Sequence, residues 1–147
     1  MNHKTCSIFT IILLVFVFAG YAGAHCEIPC GIYDDELRIK LIGEHIDTIE
    51  KSIKQVLSLE KQSPVNYNQL VRWINNKEAH ASEIQHIVSQ YFMTQRIKVD
   101  AKAYARKISL LHQMLVQAMR CKQTTDLENV AMLRSLLNDF SSLYFAH

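Results

Sequence analysis

Ile42-Gly43-Glu44-His45-Ile46-Asp47-Thr48-Ile49-Glu50-Lys51-Ser52-Ile53-Lys54-Gln55-Val56 decides the fold class of this chain. Its apolar residues Ile42, Ile46, Ile49, Ile53 and Val56 recur at alternating spacings of four and three. That period describes a helix with a coiled-coil-like seam, a stripe that must be buried against other helices. Upstream, Asp34 or Asp35 can cap the helix and place acids at its positive end. Downstream, Ser63-Pro64 offers a stop, followed by a cap and a first-turn proline for the next helix.

The remaining sequence repeats this pattern. A second helix is expected from Val65 to Phe92, with Leu70, Ile74, Ala81, Ile84, Val88 and Tyr91 on one stripe. A third is expected from Val99 to Arg120, with Tyr104, Ile108, Leu111, Leu115 and Ala118 inward. Thr124, Thr125 and Asp126 provide a new cap, and Val130, Leu133, Leu137, Phe140 and Tyr144 carry a fourth stripe. Past Tyr33 there is almost no strand signal, and the connections are short. Short connections make neighbours antiparallel. The fold class is therefore all-α, an antiparallel up-down four-helix bundle preceded by a non-helical N-terminal hook. Trp73, Ile87, Phe92, Met132 and Phe145 lie outside the seams. They either widen the core stripe or mark faces covered by other subunits.

Residues 1–24 read as a cleaved signal peptide. Lys4 gives a positive start, Ile8 to Gly20 is apolar apart from Thr10, and Ala22-Gly23-Ala24 is a small-residue cleavage site. The alternative is an anchor helix, because Ile8–Ala24 is at the lower limit of a spanning segment of roughly 17–25 residues. Cleavage leaves residues 25–147 as one domain, secreted or otherwise extracytoplasmic, with no stable membrane association. The formal net charge is +2 and falls by one when Lys4 leaves with the leader. That balance argues against a nucleic-acid partner.

Cleavage after Ala24 would make His25 the first residue. His25-Cys26-Glu27-Ile28-Pro29-Cys30-Gly31-Ile32-Tyr33 then gathers an α-amine, an imidazole and two thiols in one short hook. Thiolates do not suit magnesium or calcium. Structural zinc usually takes four side-chain ligands, and the hook offers three. The backbone can add the His25 amine and the Cys26 amide. Amine, amide and Cys26 sulfur chelate in consecutive five-membered rings that favour a plane, and Cys30 closes the fourth corner. Square-planar geometry points to nickel(II) or copper(II). Copper(II) tends to oxidise thiolates, which makes nickel the better fit. The His25 imidazole can bind axially when the metal is oxidised. Pro29 stiffens the loop between the sulfurs and Gly31 permits a tight turn.

Other constellations are weaker. Glu83 and His86 form a Glu-x-x-His pair, but a carboxylate-bridged di-metal bundle needs a second such pair. His45, His80 and His112 read as surface or satisfied helix residues. Lys98, Lys102, Arg106 and Lys107 read as a solvated face. Cys121 reads as a buried or idle thiol.

The pattern H-C-x-x-P-C-G-x-Y, His25 to Tyr33, resembles the nickel-binding hook of the nickel superoxide dismutase family at every fixed position. The stretch from Trp73 to Lys98, with Tyr91-Phe92-Met93-Thr94-Gln95-Arg96, is similar to one branch of that family. The resemblance implies one nickel ion per subunit, held by His25, Cys26 and Cys30 and cycling between Ni(II) and Ni(III). It implies superoxide as substrate, oxygen and hydrogen peroxide as products, and Tyr33 guarding the substrate pocket. It also implies a homohexamer. The family steadies its axial imidazole with a glutamate and an arginine. Lys40 stands where that glutamate is expected, so no residue is assigned to the role. Two other readings stay open: a secreted helical interaction protein with a Cys26–Cys30 disulfide, and a nickel or copper carrier without turnover.

Overall fold

The computed structural model describes residues 30–146. His25, Cys26, Pro29 and the leader lie outside the described residues. The chain divides into two compact units, Met1–Ile32 and Tyr33–His147. Of the first, only residues 30–32 are described.

The second unit is the bundle. Its helices are α1 (Asp35–Leu59), α2 (Tyr67–His86), α3 (Tyr104–Gln123) and α4 (Leu127–Phe145), with a π-helical segment, Ile87–Arg96, continuing α2. Side-chain pairs fix the directions. His45 meets His80 and Ser52 meets Asn76, so α1 and α2 are antiparallel. Gln85 reaches Leu115 and Lys77 reaches Cys121, which does the same for α2 and α3. Gln117 bonds Asn129 in α4, and Arg134 and Tyr144 of α4 return to Asp47 and Asp35 of α1. The last helix thus closes on the first, as an up-down bundle requires.

The α1 seam is the centre of the core. Ile42, Ile46, Ile49 and Ile53 are fully buried and Val56 almost so. Facing them are Ala81, Ile84, Val88, Leu111, Met114, Leu133 and Phe140. Among the described residues no helix is long and apolar enough to cross a membrane.

Helix ends depart from the sequence reading. Asp34 is the cap of α1, its carboxylate accepting from the Leu37 amide at 2.9 Å. Pro64 is not in the first turn of α2. Asn66 is the cap and accepts from the Gln69 amide, so α2 begins at Tyr67 rather than Val65. Helix α3 begins at Tyr104 instead of Val99. Ala103 before it takes a left-handed backbone, φ +58°, and Val99 lies exposed in the connection. Asp126 caps α4 as expected. Ile87 and Phe92 are core residues, not subunit-facing ones, whereas Met132 and Phe145 are exposed. Leu70 is only partly buried and Ile74 is exposed, so the α2 stripe is shorter than its sequence suggests.

Lys77 is a further departure, a lysine buried inside the bundle. Its ammonium donates to the Cys121, Lys122 and Thr124 carbonyls, the otherwise unpaired acceptors at the end of α3.

Removal of a capping carboxylate costs about 1 kcal/mol. Asp34→Ala is expected to lower stability by that amount in denaturant unfolding, with no change in helix content. An unchanged midpoint would mean that the α1 start is held by its packing alone.

Candidate functional site

Tyr33, the last residue of the hook pattern, is the first residue of the second unit. Before it, Gly31 sits at φ +82°, a backbone that L side chains rarely adopt. The glycine of the hook pattern therefore makes a real turn. Cys30 is exposed. Tyr33 is 39% exposed, so one side of its ring is held and the other faces solvent.

Two groups hold that ring. Tyr91 meets it edge to face, with centroids 5.8 Å apart. The Arg96 guanidinium lies 4.3 Å from its centroid, a cation–π contact. Both holders come from the π-helical segment. There the Ile97 amide bonds the Phe92 carbonyl, five residues back, at 2.9 Å. Thr94 and Gln95 side chains bond carbonyls five residues back as well. The widened turn puts Arg96, instead of Gln95, on the same side of the helix as Tyr91, where both reach Asp35.

Asp35 ties the cluster together. Its carboxylate accepts from Arg96 Nε at 2.8 Å and the Arg96 terminal nitrogen at 2.7 Å. It also accepts from the Tyr91 hydroxyl at 2.6 Å and the Tyr144 hydroxyl at 2.8 Å. One residue thus joins α1, the π-helical segment and α4. Desolvation is the largest influence on Asp35 and pushes its carboxyl upward. The bonds from Arg96, Tyr91 and Tyr144 together outweigh it and hold the group below the usual carboxylate range. Desolvation first, and then the bond to Asp35, raise Tyr91 and push Tyr144 up to about 12. Both phenols therefore stay protonated and donate.

Tyr33 is the one site residue from the sequence reading whose surroundings are described. His25 and Cys26 lie outside the described residues, and Cys30 belongs to the first unit. Lys40 is largely exposed, with Glu44 at 3.9 Å. Glu83 and His86 are exposed, and no group of three His, Cys, Asp or Glu side chains among the described residues could hold a metal. Cys121 is buried, and desolvation pushes its thiol up to about 11, which makes it inert. The strip of Lys98, Lys102 and Arg106 is exposed, as expected, while Lys107 lies 5.4 Å from the centre of the Tyr144 ring.

Sequence reasoning missed Asp35, Arg96 and Tyr144 as support for Tyr33. The available signal was the Asp34-Asp35 pair: one acid caps the helix, which leaves the other for a different task.

The described fold is an all-α bundle in which Tyr33 is clamped by Tyr91 and Arg96. The profile of the nickel-containing superoxide dismutase family matches residues 21–147. The chain belongs to that family. It is thus a nickel-dependent oxidoreductase whose substrate is superoxide. No curated protein and no solved structure matches the chain.

Mid-bundle, His45 and His80 place their Nδ1 atoms 2.7 Å apart. Desolvation first, and then His80, lower the His45 pKa, while Glu83 and Glu44 partly oppose them. A depressed histidine binds its proton more readily when the chain is unfolded. Stability should therefore fall as pH drops below the ordinary value of 6.5 and level off below the folded-state value. Chemical denaturation between pH 7.5 and 5 should show this loss in the native protein and less of it in His45→Gln. Equal slopes would remove His45 as the source.

Proposed function

We propose that the chain disproportionates superoxide at a nickel ion held in the N-terminal hook, one ion per subunit. Family membership, together with the donor set of the hook, carries this reading. Two thiolates, an amine and a backbone amide would offer an electron-rich donor set that suits nickel and not a hard cation. His25, Cys26 and Cys30 would hold the ion; Cys30 is exposed and is followed by Gly31 in a left-handed backbone. A nickel ion bound there would supply one-electron chemistry through its Ni(II)/Ni(III) couple.

The chain's own residues do the rest. Two superoxide anions and two protons give one oxygen and one hydrogen peroxide. Tyr33 would hydrogen-bond the small anion through its hydroxyl, or a water that carries a proton to it. Tyr91 and Arg96 keep that ring from swinging. Asp35 neutralises Arg96 and keeps the two neighbouring phenols oriented. Residues 1–24 serve as a secretion signal, and its removal exposes the His25 amine, so the mature protein is extracytoplasmic. The subunits assemble as a homohexamer, which would cover exposed apolar side chains such as Val71 and Met132.

Electron paramagnetic resonance of residues 25–147 loaded with nickel tests the centre. A rhombic low-spin Ni(III) signal split by one axial nitrogen is expected. A silent, nickel-free sample with a Cys26–Cys30 disulfide would instead support the secreted interaction protein.

A further inference from the structure

His45 on α1 and His80 on α2 are half-buried and face one another far from the hook in sequence. Their Nδ1 atoms are 2.7 Å apart, their ring centroids 5.0 Å apart and their planes inclined by 54°. At that distance one Nδ1 donates and the other accepts, so the rings are of opposite tautomer. We propose that His45 and His80 form a second metal site, taking a borderline divalent cation such as zinc(II) through their two Nδ1 atoms with water completing its shell.

The geometry supports this without movement of either helix. An imidazole centre lies about 1.2 Å from its nitrogen and a bound zinc about 2.0–2.1 Å beyond, so an ion would sit about 3.2 Å from each centroid. Two such arms spanning the observed 5.0 Å enclose an angle of about 100° at the ion, close to tetrahedral. The ring centres can therefore stay in place. Each ring needs only a tilt of about 40°, along a torsion that is broad for histidine. One Nδ1 proton shifts to Nε2 on the same ring, so no charge is created or lost.

The surroundings favour a cation. Glu44 adjoins His45, and Glu83 lies one turn from His80 on α2; both act on His45 as negative charge. His45 is held below the usual histidine value, chiefly by desolvation, which keeps it neutral as a ligand must be. Asn76, one turn from His80, donates to Ser52 of α1 at 2.9 Å and fixes the register of the same helix pair. The two imidazoles are therefore positioned in advance. No third histidine, cysteine or carboxylate already converges there. The affinity expected is that of a two-imidazole chelate, weaker than a closed structural site.

The test is zinc titration of the nickel-loaded, untagged mature protein, followed by calorimetry and native mass spectrometry. One zinc per chain beyond nickel is expected, with a dissociation constant below about 1 mM. It should bind at least about tenfold more weakly to His80→Gln and unchanged to His112→Gln, a variant of an exposed histidine. Imidazole nitrogen resonances of the unmutated protein give a second reading that needs no variant: zinc should shift the Nδ1 signals of His45 and His80. No uptake, equal uptake by His80→Gln, or shifts at other histidines would overturn the site. Zinc taken by the hook would survive His80→Gln and leave both resonances unmoved, so the result does not depend on the nickel reading.

Discussion

Cys30→Ser is expected to leave the bundle intact and remove nickel and turnover together. A serine hydroxyl is a hard donor that stays protonated near neutral pH, so the set loses one of its two thiolates. Loss of an outer partner of a metal ligand typically costs 10–100-fold; loss of a ligand itself should exceed that, at least about 100-fold in turnover. Cys30 is exposed and precedes α1, so helix content and unfolding midpoint should match those of the unmutated chain. Metal analysis, circular dichroism and superoxide decay after a radiolysis pulse separate the outcomes. A serine variant that kept Ni(III) and full turnover would refute the hook as the centre. One extra residue placed before His25 removes the amine ligand while keeping every side chain. It should likewise lose most activity, and retention of full activity would contradict the proposed chelate.

The α1 seam was legible because five apolar residues at four-three spacing leave a helix one way to hide them, and all five are buried. The hook pattern can be read without tertiary knowledge, because its donors from His25 to Cys30 are near neighbours in sequence. The π-helical segment was not legible. Ile87–Arg96 reads as ordinary helix, whereas in its wider turn Tyr91 and Arg96 both reach Asp35 of α1 and Phe92 packs on Phe140 of α4. The start of α2 was misplaced because Pro64 suits a first turn in isolation, whereas Asn66 supplies the side-chain acceptor that closes the helix. The His45–His80 pair joins residues 35 apart, and no local pattern announces a contact of that kind.

Asp35→Ala should be the most damaging single change at the hook end. Four donors converge on this carboxylate: two nitrogens of Arg96 and the hydroxyls of Tyr91 and Tyr144. Removing one partner of a buried ion pair costs about 3–5 kcal/mol. Here the Arg96 side chain keeps 29% of its surface in water, which lowers the expectation to about 2–4 kcal/mol. Asp35→Asn retains one acceptor oxygen and the shape, so about half that loss is expected. The acid response supplies a second signature. Asp35 is depressed in the folded state, so its contribution is present above the ordinary value of 3.8 and is lost as pH falls through the folded-state value. The native protein should therefore lose stability between pH 5 and 2 more steeply than Asp35→Asn. Function should follow through Tyr33, because Arg96 without its counter-charge no longer rests reliably on that ring. Where the variant is still folded and nickel-loaded, turnover should fall about 10-fold, the lower end of the range for a positioning partner. Unchanged turnover in a destabilised, fully loaded Asp35→Asn would confine the cluster to holding the bundle together. A fall in turnover at constant nickel content would show that the fixed position of Tyr33 is part of the chemistry.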